Sequence, residues 1–437
     1  VKKSVVILIL LAVLVIIVSP GLVGKLAEDS VGENLNWAAK QSGELVVTST
    51  GFDRGWFSSE GQHRVELGEG GIRALVGEFA GEGSDLPVLI IDTHIDHGII
   101  PVTSMNRDEG SLAPGLGSAV STLSVDLGDG EIVTLPGTIY SKVGMGGNLD
   151  SRYIVEAGTK TVEDGEVSWQ PTRINVASSA SSGEVAFDGA VGAMTFGNDQ
   201  QVVAIDGLTF EGSQEPTQYG FNIGKLVASL GAVTMTSGGE TTTGMKSFDV
   251  NAETKVSGGK TTATTRIEMG GQTVPGFGDV SAIADFKFAN LDAAALGRLS
   301  EKLDGLSNMQ DPQQAMVVAE SEFKDLFAEG FDINVEQLDV GLPMGTVETT
   351  LKAAIPSSDR DAFEWTSLLL ATEAEFDVSV PEDLVQLATS MNPQAGALIA
   401  MGYLRKEGDV YVMDADYKKG LLTVNGAPVP IPLGAFQ

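Results

Sequence analysis

The alternation of hydrophobic and polar positions changes character along this chain. It opens with an unbroken apolar run from Val5 to Val18, which Leu22 and Val23 extend beyond Ser19-Pro20-Gly21. That makes a span of about 19 positions, just enough to cross the hydrocarbon core of a bilayer with little tilt. The next stretch, KLAEDSVGENLNWAAKQS, sets Leu26, Val31, Leu35 and Ala38 on roughly one helical face and ends at Gly43. From Glu44 the period becomes two. ELVVTSTGFDRGWFSSEGQHRVEL has strand-forming flanks around a glycine-containing centre, and LPVLIIDTHIDHGIIP is a more apolar run that stops at Pro101. Between 120 and 290 short runs of Val, Thr, Ser, Ile and Phe alternate with Asp-Gly, Gly-Gly and Asn-Asp pairs, the pattern of consecutive antiparallel hairpins.

Helical periodicity returns late. NLDAAALGRLSEKLDGL has Asn290 or Asp292 as its cap, and DPQQAMVVAESEFKDLFAEG has Asp311 at the cap with Pro312 in the first turn. A third helix opens at Pro381 and is expected to kink or split at Pro393. Between them GFDINVEQLDVGLPMGTVETTLKAAI and LLLATEAEFDVSV read as strands. The last segment, GYLRKEGDVYVMDADYKKGLLTVNGAPVPIPL, reads as a hairpin whose second turn is Asn425-Gly426. The expected fold is α+β and β-dominated: a large curved antiparallel sheet of consecutive hairpins, an N-terminal membrane helix, and a few helices in the C-terminal third. The expected organisation is an anchor over 1–24, a juxtamembrane helix over 25–43, and one continuous β-rich body over 44–437.

Charge sharpens this picture. The 437 residues carry 27 Lys and Arg against 59 Asp and Glu, a formal charge of −32. Such a surface repels phosphate backbones, so nucleic acid is not an expected partner. No cysteine is present, which excludes disulfides, thiol nucleophiles and cysteine-bound zinc. Lys2 and Lys3 precede the apolar run, while Glu28, Asp29 and Glu33 follow it. That asymmetry orients a signal anchor with its N-terminus inside and its body outside. A cleaved signal peptide is the competing reading, but no A-x-A site follows the run.

Chemistry-bearing residues are sparse. The three histidines are His63, His94 and His97. On a strand, Asp92, His94 and Asp96 share one face and His97 takes the other, so His94 with its carboxylates is a candidate acid/base or metal group set beside the simpler reading of a solvated strand end. A triad of Ser58, His97 and Asp96 is conceivable, yet no G-x-S-x-G elbow supports it. No glycine run has the strand–helix context of a phosphate cradle. GFDRGWFSSEGQHRVEL concentrates rare residues, but Gly51 and Gly55 make it the turn of a hairpin in which an Asp53–Arg54 pair and two aromatics brace the bend. A contact between Arg54 and Asp96 is the expected link to the second polar cluster. No catalytic residue, metal site or cofactor is assigned.

The two motifs resemble those of the YdgA-like bacterial proteins, domain of unknown function 945. The residues that carry the resemblance are Phe52, Asp53, Arg54, Gly55, Trp56, Phe57, Ser58 and Ser59, then Asp96, His97 and Gly98, with Ile99-Ile100 before Pro101 as a modest departure. The ending, with Tyr417, Gly420, Leu422, Asn425 and Gly426, is similar as well. The resemblance implies a single-pass inner-membrane protein of a Gram-negative bacterium with its acidic body in the periplasm, and it implies no reaction. The leading expectation is a non-enzymatic envelope protein that holds a lipid or other apolar ligand in a groove of the sheet. The alternatives are a scaffold or accessory factor that binds another envelope protein, and a hydrolase or metalloenzyme centred on His94, Asp96 and His97; a homo-oligomer is a further expected partner state.

Overall fold

The computed structural model describes residues 45–54, 58–68, 86–97, 115–126, 132–162, 165–198, 200–274, 278–304 and 318–430. The expected anchor and juxtamembrane helix, and the Asp311-Pro312 helix start, lie outside these residues. The described residues are β-dominated, with antiparallel ladders and five α-helices confined to 293–400. They cluster in two compact units, 1–216 with 235–240, and 217–234 with 241–437. The boundary runs through strand Val233–Ser237 (β16).

The first unit contains β1 (Leu45–Arg54), β2 (Ser58–Leu67), β3 (Val88–His97), β4 (Gly115–Asp126), β5 (Ile132–Thr134), β6 (Thr138–Gly144), β7 (Leu149–Val155), β8 (Gly158–Val162), β9 (Gly165–Trp169), β10 (Thr172–Ser178), β11 (Val185–Val191), β12 (Met194–Gly197), β13 (Gln201–Ile205) and β14 (Leu208–Pro216). Its main ladder runs β1-β2-β3-β4-β6-β7-β10-β11-β14, every pair antiparallel. Two excursions, β8-β9 and β12-β13, leave this ladder and pair with each other through β9 and β12. The hairpin order read from sequence therefore holds locally but is interrupted twice.

Alternation decides the faces. Along β2, Ser59, Gly61, His63, Val65 and Leu67 are buried, whereas Glu60, Gln62 and Glu66 are exposed. The register carries the buried side across the sheet: Val65 opposes Leu89, which opposes Val125, and His63 opposes Ile91, which opposes Leu123. A β-bulge at Thr50 shifts the register of β1 on β2. Further along, Gly189 faces the ring of buried Phe210, where an added Cβ would meet Cζ at 2.5 Å. On the outer side Arg64 donates to Asp126 at 2.9 Å and Asn175 to Asp188 at 2.8 Å.

The second unit contains β15 (Asn222–Leu230), β17 (Glu240–Ser257), β18 (Lys260–Val274), β19 (Gly278–Asp292), α1 (Ala293–Asp304), α2 (Glu320–Ala328), β20 (Phe331–Leu342), β21 (Gly345–Ile355), α3 (Trp365–Ala371), β22 (Glu373–Pro381), α4 (Glu382–Met391), α5 (Pro393–Ala400), β23 (Arg405–Glu407), β24 (Val410–Lys418), β25 (Leu421–Val424) and β26 (Ala427–Val429). The antiparallel order is β15-β17-β18-β19-β20-β21-β22-β24-β25-β26, with β23 added to β24. Gly258-Gly259 and Asn425-Gly426 both have positive φ at each central residue, the backbone of type I′ hairpin turns.

Asp292 caps α1, accepting from the backbone N–H groups of Ala294 (3.1 Å) and Ala295 (2.9 Å). Leu299 of α1 and Leu326 of α2 bury against Leu291 and Phe331 of the sheet. Buried Asp325 accepts from Arg298 of α1 and pairs with Arg360 of a short 3-10 turn, Arg360–Ala362. The expected split at Pro393 is present, since α4 ends at Met391 and α5 begins at Pro393.

Two expectations are corrected. Leu368–Ala371, read as strand, is helical in α3. Trp365 packs edge-on to Phe327 and Phe363, with centroids 5.3 and 5.0 Å apart, and Thr372 closes the helix by bonding Leu368 O. The high helix propensity of leucine and alanine and the packing of Trp365 both favour the helix over the strand read there. The last segment contains three turns rather than two, because short β23 precedes the long hairpin.

Candidate functional site

The two polar motifs meet at one end of the first unit. The GFDRGWFSSEGQHRVEL stretch is a hairpin, β1 into β2, with Arg54 opposite Ser59 and Asp53 opposite Glu60. Across the next ladder Ser58 pairs with Asp96 and Ser59 with Ile95, and beyond it Asp96 pairs with Ser118 and His97 with Gly117. Antiparallel pairing thus brings Ser58, Ser59, Asp96 and His97 to one corner, although some forty residues separate the motifs. Ser59 is buried at 2% exposure, whereas Asp53 is exposed. The side chains of Phe52, Arg54 and His97, and Gly55, Trp56, Phe57 and Gly98 entirely, lie outside the described residues; so does the expected Arg54–Asp96 contact.

The Asp92, His94 and Asp96 row occupies the outer face, as the period of two predicts. His94 sits between Asp96 Oδ1 at 3.3 Å and Glu60 Oε1 at 3.6 Å, and Asp92 accepts from Gln62 at 2.8 Å. The His94 side chain is 42% exposed. This arrangement makes a solvated ion-pair row when His94 is protonated. No group of three or more His, Cys, Asp or Glu side chains able to hold a metal ion occurs among the described residues.

Sequence reasoning passed over His63, which is buried at 2% exposure on the inner face. Its Nδ1 lies 2.9 Å from Ser49 Oγ, and its Nε2 has no hydrogen-bond partner among the described residues. Burial holds its pKa below the ordinary histidine value, so the neutral ring is favoured. Elsewhere on this sheet hydroxyls pair across strands, Thr93 with Ser121 at 2.8 Å and Ser141 with Ser151 at 2.7 Å. Tyr153 donates to Pro136 O at 2.7 Å, and burial pushes its phenol up to about 12.

The second unit carries a different kind of surface. One cross-strand row reads Ala228, Val250, Ile267, Ala284, Leu338, Thr349, Val378 and Met413. The adjacent row reads Leu226, Ala252, Thr265, Phe286, Val335, Leu351, Phe376 and Ala415. Both rows cross the same eight strands on the same face, and none of these residues is buried. The opposite face holds Arg266 with Asp285, and Lys418 with Glu375. At one end of the apolar face α1 and α2 pack on Leu291, Phe331, Ile333 and Ile355. Near that end Tyr417 donates to Leu369 O of α3 at 2.7 Å. The middle of the face is half-buried, and Phe288 and Leu338 reach 40% and 36% exposure. Alternation alone located apolar strand faces; it did not single out this half-buried one, which begins at β15 inside the 120–290 tract and continues past it to β24.

The sequence model of a family described as a bacterial protein of unknown function (DUF945) matches residues 1–432, and the chain belongs to that family. No curated protein and no solved structure matches it.

Proposed function

We propose that this is a non-enzymatic envelope protein, anchored in the inner membrane by residues 5–23, whose periplasmic body holds a lipid or other extended apolar ligand on the apolar face of the second unit. The observation that supports the reading is the pair of apolar rows crossing eight strands, none of whose residues is fully buried. An apolar face of that extent is unusual on an unliganded soluble surface, and each Å² of it removed from water by a ligand contributes about 25 cal/mol. Phe286, Val335, Leu351 and Phe376 form its centre and would contact a chain lying across the strands. The face offers no ionisable group in those rows, so it would select by shape and hydrophobicity, leaving a headgroup in solvent. The anchoring half rests on Lys2-Lys3, the apolar run and the acidic residues after it. No described helix is long and apolar enough to cross a membrane, and residues 5–23 lie outside the described set.

The test uses neighbouring residues with opposite faces. A photo-crosslinking amino acid is placed at Phe376 or at Asp377 of the full chain in intact cells, and the adducts are identified by mass spectrometry. Lipid adducts from 376 and none from 377 are expected. Protein adducts at 376, the outcome for a scaffold, or no adduct at 376, would overturn the proposal.

A further inference from the structure

Residues 384–404, LVQLATSMNPQAGALIAMGYL, contain no charged side chain in a chain whose formal charge is −32. They fold into α4 and α5, a helical hairpin that follows β22. Val385 is buried and anchors it, while Leu387, Met391, Leu398 and Met401 are exposed at 37%, 79%, 41% and 56%. Its base is held firmly. Asn425 Nδ2 donates to Gly402 O at 2.8 Å and to Tyr403 O at 3.2 Å, and Lys406 donates to Glu382. Glu382 and Lys406, which flank the run, therefore pair at the root, and its exposed side chains combine these four large apolar residues with the uncharged Gln386, Ser390 and Asn392.

We infer that the α4–α5 hairpin inserts shallowly into the surface of a zwitterionic lipid bilayer. Helices of ten and eight residues are far too short to span, but a short apolar face can enter the boundary between headgroups and acyl chains. The charge pattern selects this occupant. Most of the surface is acidic and is repelled by anionic headgroups, whereas this run carries no acid and meets no such penalty. Methionine adds a flexible apolar side chain suited to a fluid environment, and two of the exposed four are methionines. The inference concerns contact with the bilayer and does not rest on the ligand proposed for the apolar sheet face.

The chain lacks cysteine, so a single engineered thiol is labelled uniquely. Met391→Cys, and Ser379→Cys as a control on the charged face of β22, are labelled with an environment-sensitive fluorophore. The full-length protein is then reconstituted into phosphatidylcholine vesicles through its own N-terminal segment. The label at 391 is expected to shift to the blue, with quenching by a lipid-borne quencher about fivefold stronger than at 379. Adding Leu398→Asp is expected to cut that quenching at least about twofold. A solvent-like label at 391 in vesicle-bound protein would overturn the inference. So would a shift without vesicles that grows with protein concentration, which would mean that a second copy covers the hairpin. Crosslinking at Phe376 is read separately, so either idea can fail alone.

Discussion

The inner face of the first unit and the apolar face of the second are built by the same alternation and end in opposite states. Val65, Leu89, Val125 and Leu149 are 3–5% exposed, while Phe286, Leu351 and Phe376 are half-buried and Leu338 reaches 36%. Composition differs in step with coverage. The buried face mixes aliphatics with Ser59, His63, Thr93, Ser121 and Ser151, whose polar groups must find partners once water is excluded. The half-buried face has aliphatic and aromatic residues through its middle, with threonine as its only hydroxyl-bearing residue in the two central rows. Alternation therefore decides which side of a sheet is apolar; it does not decide whether that side is covered.

The largest test of this contrast is truncation of matched leucines. Leu123→Ala in the first unit removes a 9% exposed side chain and is expected to cost about 3 kcal/mol, transfer plus cavity. Leu351→Ala in the second removes a half-buried side chain and is expected to cost about 1 kcal/mol. Urea unfolding of each variant gives both values. Equal losses would mean that the second face is covered in solution and would remove the basis for a ligand there. Next in size is Gly297→Ala, which asks whether the second unit is tight where its helices sit. Gly297 of α1 approaches the backbone carbonyl of Tyr219 so closely that a Cβ would collide with it. The substitution is expected to cost about 2 kcal/mol through displacement of α1. A neutral result would show that α1 shifts freely and that the packing of the second unit is loose under its helices as well.

Much of this architecture was legible in the chain, and the reasons are local. The hairpin at Gly51–Leu67 follows from its glycines and flanking alternation, the α1 cap from Asp292, the α4/α5 break from Pro393, and the Asn425-Gly426 turn from the positive φ that this dipeptide accepts. What was not legible depends on partners distant in sequence. The β8-β9 and β12-β13 excursions pair with each other across the β10-β11 hairpin, which no local signal announces. Leu368–Ala371 belongs to a helix whose first residue, Trp365, is placed by the rings of Phe327, distant in sequence, and Phe363. The meeting of Ser58 with Asp96 depends on register between two strands, and the burial of His63 depends on what lies over its face.

Smaller in effect is the titration of His63, which tests whether the first face stays dry. Its folded pKa lies below the ordinary value because of burial, so between that depressed pKa and about 6.5 the unfolded chain binds a proton that the folded chain does not. Its stabilising contribution is therefore whole above about pH 6.5 and declines as the pH falls below it. The slope reaches at most about 1.4 kcal/mol per pH unit. His63→Leu is expected to flatten this part of the stability profile between pH 6.5 and 5, measured as the difference in urea midpoint from the parent protein. An unchanged profile would mean that water reaches the ring and that the first face is less closed than its geometry indicates.

The smallest expected effect concerns the charged side of the second unit, and it isolates the apolar side as the informative one. Arg266 bonds Asp285 at 3.2 Å and Gln337 at 3.3 Å, but its side chain is 42% exposed. Exposed pairs gain little because water screens them and ordering the side chains costs entropy. Arg266→Met is expected to shift stability by about 0.5 kcal/mol or less in urea unfolding. It should also leave lipid crosslinking from Phe376 unchanged, since Arg266 lies on the opposite face from Ile267 and its row. Loss of crosslinking with stability intact would mean that the charged face takes part in holding the ligand. The division of labour between the two faces of this sheet would then fail, whatever the apolar rows look like.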